Sequence, residues 1–169
     1  MNQAFIDGQN LQLGTTKARP AWKIDLYRFR VYLKEKYNVE KAYYFLGAVN
    51  EEHQKLYELI QSAGFILTFR EHHQSMIAKK KGNVDTDIVI TVMEKIAEKE
   101  KFNKVILVSG DGDYIKMVRY LIKKKKLEKV LAPAKRSFST LYKDLHPKYY
   151  NYLDDGAIKK KIQYKYKKK

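Results

Sequence analysis

The sequence predicts an α/β fold, a three-layer sandwich whose central, mostly parallel five-stranded sheet is covered by helices on both faces. Two observations carry this. Short apolar runs rich in β-branched and aromatic residues recur at residues 4–6, 42–46, 65–69, 105–108 and 130–132, each about the length of a buried strand. Between them lie stretches with apolar residues at helical spacing. Strands that alternate with helices imply parallel pairing, because each crossover lays a helix on one face of the sheet.

The elements follow in order along the chain. Residues 24–36 place Leu26, Phe29 and Leu33 on one helical face, and residues 51–63 do the same with Leu56, Leu59 and Ile60. Residues 84–100 carry Ile88, Val92 and Ile96, and residues 114–124 carry Ile115, Val118, Leu121 and Ile122. Two connections are longer than ordinary loops. Residues 8–22 follow the first strand and contain Gly14, Thr15, Thr16 and Pro20; residues 71–83 follow the third and contain Lys79, Lys80 and Lys81 before Gly82. Long loops at the carboxyl ends of parallel strands are where such folds place their sites. From residue 147 the composition turns to Tyr149, Tyr150, Tyr152 and then a Lys-rich tail, so the expected division is a domain over residues 1–146 and a basic extension over 147–169. There is no internal repeat.

Composition narrows the class of function. With 169 residues, 44% of them hydrophobic, the chain suits one domain with an ordinary core. Its 35 Lys and Arg against 19 Asp and Glu leave a net charge of +16, the balance of a protein that meets a polyanion. Nucleic acid is the first candidate and an anionic membrane surface the second. Without cysteine there are no disulfides and no thiolate metal sites. The first strand starts almost at Met1, and no apolar run reaches the roughly 18 residues of a membrane span. A cytoplasmic protein with no membrane span is the expectation.

The carboxylates carry the chemistry. Asp7 ends the first strand in "FIDGQNL", and "VILVSGDGDYIKMV" runs a buried strand into Ser109, Gly110, Asp111, Gly112 and Asp113. If the strand order is 3-2-1-4-5, the first and fourth strands are neighbours and the winding reverses between them, which is the crevice where open α/β sheets bind ligands. Asp7 and Asp111 then face one another. Asp85 and Asp87 in "KKKGNVDTDIV" open the helix before the fourth strand. Two helix positions apart they point roughly 200° from each other, so Asp85 is expected inward and Asp87 to support the site or lie in solvent. Carboxylates brought this close raise one another's pKa values unless a cation lies between them, and ligands that are all oxygen suit Mg²⁺ or Mn²⁺.

These segments resemble a known family. "FIDGQNL", "KGNVDTDIVITVM" and "VILVSGDGDYIKMVRYL", in that order, are similar to the motifs of the NYN, or LabA-like, branch of the PIN-domain nuclease superfamily. "VLAPAKRSFSTL" looks like the family's last strand and the helix after it, and the likeness covers about residues 2–145. The middle motif carries one residue more than the family's usual spacing, Asn83. The resemblance implies a PIN-like sheet and a metal-dependent ribonuclease, acting on single-stranded or structured RNA, with a homodimer as the family's implied assembly. It implies Asp7, Asp85, Asp111 and Asp113 as metal-binding and catalytic carboxylates, with Asn10 and Ser109 orienting ligands or the scissile phosphate.

Plainer readings stand beside these. Asp113 and Asp85 are also natural helix caps, which does not exclude metal binding, and Asp7 before Gly8 also fits turn chemistry. Asn10 and Ser109 can serve their own loops alone. His72 and His73 read as exposed loop residues, and no histidine pair has zinc spacing. Lys79, Lys80 and Lys81, just before the acidic motif, are placed to grip nucleic-acid phosphates. Lys123 to Lys126 complement a helix C-terminus as well as they would an RNA. Tyr164 and Tyr166 among lysines suit base stacking or a solvated end. The leading expectation is a Mg²⁺- or Mn²⁺-dependent endoribonuclease. Its rival is a non-catalytic RNA-binding or regulatory module, and the third reading is a peripheral membrane protein held by its tail.

Overall fold

The computed structural model describes residues 1–70 and 84–165. Six parallel strands form one sheet in the order β3-β2-β1-β4-β5-β6. The strands are β1 (Asn2–Asp7), β2 (Val39–Leu46), β3 (Ile66–Phe69), β4 (Val105–Val108), β5 (Leu127–Ala132) and β6 (Tyr150–Tyr152). The helices are α1 (Gly8–Thr16), α2 (Leu26–Tyr37), α3 (Gln54–Ser62), α4 (Asp85–Ala97), α5 (Ile115–Lys123) and α6 (Gly156–Ile162). The expected order 3-2-1-4-5 is present, with one strand more than expected at its end.

Strand pleating divides the core into two layers. In β1, Ala4 and Ile6 pack with Leu11, Phe29, Leu33 and Ile60 on one face, while Phe5 points to Ile88, Val92, Val118 and Leu121 on the other. β4 repeats the alternation, with Ile106 and Val108 on the first face and Val105 and Leu107 on the second. All four β4 residues are fully buried, which is why "VILV" is apolar without interruption. The winding reverses between β1 and β4. Their carboxyl ends therefore open onto one crevice.

Three expectations need correction. The connection over residues 8–22 is not a loop at its start: α1 begins at Gly8, directly after β1. Its "GQNLQLGTT" carries two glycines and no strong helical pattern, and tertiary contacts hold it instead, with Leu11 and Thr15 buried and Asp7 capping its first turn. Second, no α-helix follows β5 at "AKRSFSTL"; the chain makes single 3₁₀ turns at Lys135–Ser137 and Thr140–Tyr142. Third, the sheet has six strands, not five. β6 has only three residues, too short to leave a sequence period, and pairs with β5 from Val130–Tyr150 to Ala132–Tyr152. Past the expected boundary at residue 147, Leu153 and Ile162 are fully buried in the first core layer, and α6 packs on α2. Asp25 and Tyr164 donate backbone N–H groups to Ile162 and Lys23, tying the end of the chain to the start of α2. Tyr166 lies outside the described residues. In the basic run after α5, Lys126 donates to the Phe102 carbonyl at 2.9 Å, a structural use of one of its lysines.

Glu100 fastens the rear of the sheet. Its carboxylate accepts from Gln3 Nε2 at 2.7 Å and Lys95 Nζ at 2.6 Å, with Lys41 Nζ 3.7 Å away. The Lys95 and Gln3 hydrogen bonds hold its pKa below the ordinary 4.5. A depressed carboxylate contributes stability above its unfolded pKa and loses it as pH falls through the folded one. Glu100→Gln is therefore expected to lower Tm at pH 7, with the gap to the parent closing below the ordinary 4.5. Thermal melts across pH check this, and a gap that does not narrow as pH falls below the ordinary 4.5 contradicts it.

Candidate metal centre and active site

The site begins with Asp7. β1 passes into α1 with no intervening residue, so the last strand carboxylate becomes the helix cap, its Oδ1 accepting the Asn10 N–H at 2.9 Å. Gly8 follows because nothing larger fits. A Cβ there would lie 2.7 Å from the Phe45 carbonyl oxygen and closer still to the Tyr44 ring. At the end of β4, Ser109 Oγ accepts the Asp111 N–H at 3.1 Å, and Asp111 Oδ1 accepts the Asp113 N–H at 3.0 Å. Asn10 joins the two strand ends, its Oδ1 accepting the Gly110 N–H at 2.9 Å.

One tyrosine bridges the acids. The Tyr114 hydroxyl lies 2.6 Å from Asp85 Oδ1 and 3.1 Å from Asp7 Oδ2, and Ser109 Oγ sits 3.5 Å from the same Asp7 oxygen. A phenol has a single proton to give, so it cannot fully satisfy two ionised carboxylates at once. Burial, then the Asp7 and Asp85 charges, pushes the Tyr114 hydroxyl far above its usual 10.0, so it stays a donor at any working pH. Asp7 is only 4% exposed. Burial raises its carboxyl above 3.8, the charges of Asp85 and Asp111 add to the rise, and the Asn10 N–H and Tyr114 hydroxyl oppose it.

Above Asp7 lies a triad. Asp85, Asp111 and Asp113 each offer an oxygen, and these oxygens all lie within 4.8 Å of one another. Asp85 is the first residue of α4, and Asp113 lies in the 3₁₀ turn that leads into α5. Among the described residues, Asp111 and Asp113 form no ion pair. A set of oxygens with this spread fits a cation with metal–oxygen distances of roughly 2.0–2.6 Å. Such a cluster can hold a divalent metal. Asp7 is outside that triad, underneath it, joined to it through Tyr114 and Ser109. Asp87 turns away to pair with Arg70 at 3.9 Å. Lys79, Lys80, Lys81, His72 and His73 lie outside the described residues.

Two residues escaped sequence reasoning. Tyr114 reads as a helix start, yet a tyrosine following acidic loop residues into a buried helix must find a partner for its hydroxyl, and that is the usable signal. Tyr142, fully buried, donates to the Asp111 carbonyl at 2.5 Å and so steadies the loop from a distant turn. Nothing local to Tyr142 marks it.

Fold and site together define a crevice lined by carboxylates at the switch point of a parallel α/β sheet. Residues 3–153 match the NYN domain, a stretch that runs through β6. The chain belongs to the NYN domain family, within the PIN-like nuclease superfamily. It is 25% identical over 126 residues to the Low amplitude and bright protein LabA of Synechococcus elongatus, an alignment covering 69% of this chain and 65% of that protein's length. Its fold is similar to the crystal structure of a Vibrio parahaemolyticus protein of unknown function, with a TM-score of 0.75 and 21% identity over 96% of this chain and 95% of the other.

Two outcomes follow from this geometry. Tyr114→Phe removes the one proton shared by two carboxylates and is expected to cost about 1.5–3 kcal/mol by denaturant unfolding, the worth of a hydrogen bond to a charged group. An unchanged midpoint would show that the bridge contributes nothing. Mn²⁺ or Mg²⁺ is expected to raise the parent's Tm, by about 2.7 kcal/mol of added stability at a hundredfold excess over Kd, and to raise that of Asp85→Asn or Asp111→Asn far less. Equal shifts in all three would place the ion elsewhere.

Proposed function

We propose that this protein is a metal-dependent ribonuclease that cuts RNA internally at the acidic crevice between β1 and β4. The observation that supports it best is the triad: Asp85 at the start of α4 meets Asp111 and Asp113 of the loop after β4, with oxygens mutually within 4.8 Å, in a protein of net charge +16. An acidic pit inside a basic protein suits a phosphodiester whose backbone is drawn by the surroundings and whose reacting group needs a cation to approach carboxylates.

In this reading Asp85, Asp111 and Asp113 hold Mg²⁺ or Mn²⁺. A divalent ion bound there supplies a more acidic bound water and neutralises charge on the phosphoryl oxygens. Asp7 acts from beneath, through Tyr114, to fix the Asp85 carboxylate, and Ser109 and Asn10 hold the loop on which Asp111 stands. Asp87, paired with Arg70, supports α4 from outside the pit. Lys79, Lys80 and Lys81 grip the RNA backbone, and the protein works in the cytoplasm. No described helix is long and apolar enough to cross a membrane.

The test is cleavage of labelled single-stranded RNA, hairpin RNA and DNA with Mg²⁺, Mn²⁺ or EDTA, comparing the parent with Asp7→Asn, Asp85→Asn and Asp111→Asn. Metal-dependent cutting of RNA is expected, falling at least a hundredfold in Asp85→Asn and Asp111→Asn. RNA bound but uncut with either metal would make the protein a binding module. Variants that cut as fast as the parent would remove the triad from the chemistry.

A further inference from the structure

A second concavity adjoins the acidic pit. It is a cavity of about 540 Å³ between the end of α1 and the 3₁₀ turn after β5, within the roughly 300–1,000 Å³ usual for ligand pockets. Four cations line it: Lys17, Arg19, Arg136 and Lys159. Among the described residues none of the four forms an ion pair. The acid that does line the pocket, Asp154, is engaged otherwise, its two oxygens accepting the Lys135 backbone N–H at 3.1 and 3.2 Å. Four like charges gathered in a concavity repel one another, and the arrangement is stabilised when an anion enters.

Its walls tie the pocket to the acidic centre. Asn10 lines it and also bonds both Asp7, through its N–H, and Gly110, through its Oδ1. Ser137 lines the opposite side, and its carbonyl packs so closely on Gly110 that a Cβ there would lie 3.2 Å away. Trp22, 5% exposed, also lines it, and its ring carries Lys159 Nζ at 5.2 Å. Charged N–H donors gathered in a concavity are what phosphate oxygens require. The neighbouring cavity of about 460 Å³ on the other side of α1, which Trp22 also lines, has Lys23 as its single cation among mainly apolar walls such as Leu11, Leu46, Leu56 and Leu59.

We propose that this pocket is a phosphate-binding subsite that holds the RNA backbone to one side of the acidic centre. The identity of the ligand as RNA rests on the ribonuclease reading; the affinity for backbone phosphate rests on the four cations. A strand seated there passes over Asn10 into the pit, so the subsite sets the direction in which RNA lies and lengthens the footprint beyond the scissile bond. Lys17, Arg19 and Arg136 are exposed, which makes them able to change without disturbing the core.

The experiment is fluorescence anisotropy of a labelled single-stranded oligoribonucleotide in EDTA, where no metal is available, at several salt concentrations. The triple variant Lys17→Ala/Arg19→Ala/Arg136→Ala is compared with a control triple that removes the same charge elsewhere, Lys34→Ala/Lys55→Ala/Lys116→Ala, all three positions being exposed. The pocket variant is expected to bind at least tenfold more weakly than the control, with a log Kd against log salt slope smaller by about 2, the share of three phosphate contacts on a single strand. The charge-keeping Arg19→Lys/Arg136→Lys is expected to retain the parent's slope. Matching affinity and slope in the two triples overturns the proposal, as does a charge-keeping variant as weak as the alanine triple. Cleavage by the parent with Mn²⁺ is scored separately: if it fails while the pocket triple alone loses binding, the ribonuclease reading falls and the subsite stands.

Discussion

The structure turns on a carboxylate in an unfavourable place. Asp7 is buried at the end of a central strand, and every contact it makes organises something else. Its Oδ1 starts α1, its Oδ2 meets Ser109 at the end of β4, and the same oxygen shares the Tyr114 proton with Asp85 at the start of α4. Three elements that approach from different directions are registered by one side chain. The arrangement keeps negative charge where burial opposes it, and strain of that kind is common where a site must be ready for a cation.

Charge of the two signs gathers in different places in this molecule. The acids of the site lie in the crevice, while the excess of Lys and Arg occupies the outside, part of it gathered in the pocket beside Asn10. In the proposed function the two fields cooperate for a polyanion: the surroundings would attract its backbone, and the pit, holding a divalent ion, would receive one phosphate. Neither field alone selects the same ligand. A basic shell without the pit suits any polyanion, and a carboxylate pit without the shell suits a free metal ion.

Close approach explains the glycines around the centre. Gly8 lets β1 turn directly into α1 against the Phe45 carbonyl, and a Cβ on Gly112 would lie 2.8 Å from Leu141 and closer still to Ser139. That second contact matters because it brings the turn after β5, with Tyr142, against the Asp111 loop. The loop carrying two of the three triad acids is thus clamped from both sides, by Asn10 and by the Tyr142 hydroxyl. Rigid placement of charged groups avoids reorganisation when a ligand arrives.

The sequence by itself determined the layered parallel sheet and the acidic residues at its strand ends, while the order from β3 to β5 came with the family resemblance. These are legible because buried parallel strands require unbroken apolar runs, and because an Asp at a strand end beside glycine is a local pattern. The tertiary structure decided what depends on partners far along the chain. α1 exists despite its glycines because Asp7 caps it and Leu11 is buried; β6 exists because β5 offers an edge to only three residues. Tyr114 becomes a bridge because Asp7 and Asp85, more than seventy residues apart in sequence, meet at its hydroxyl. The basic pocket draws Lys17, Arg19, Arg136 and Lys159 from both ends of the chain, and no window of sequence contains a charge cluster assembled by folding.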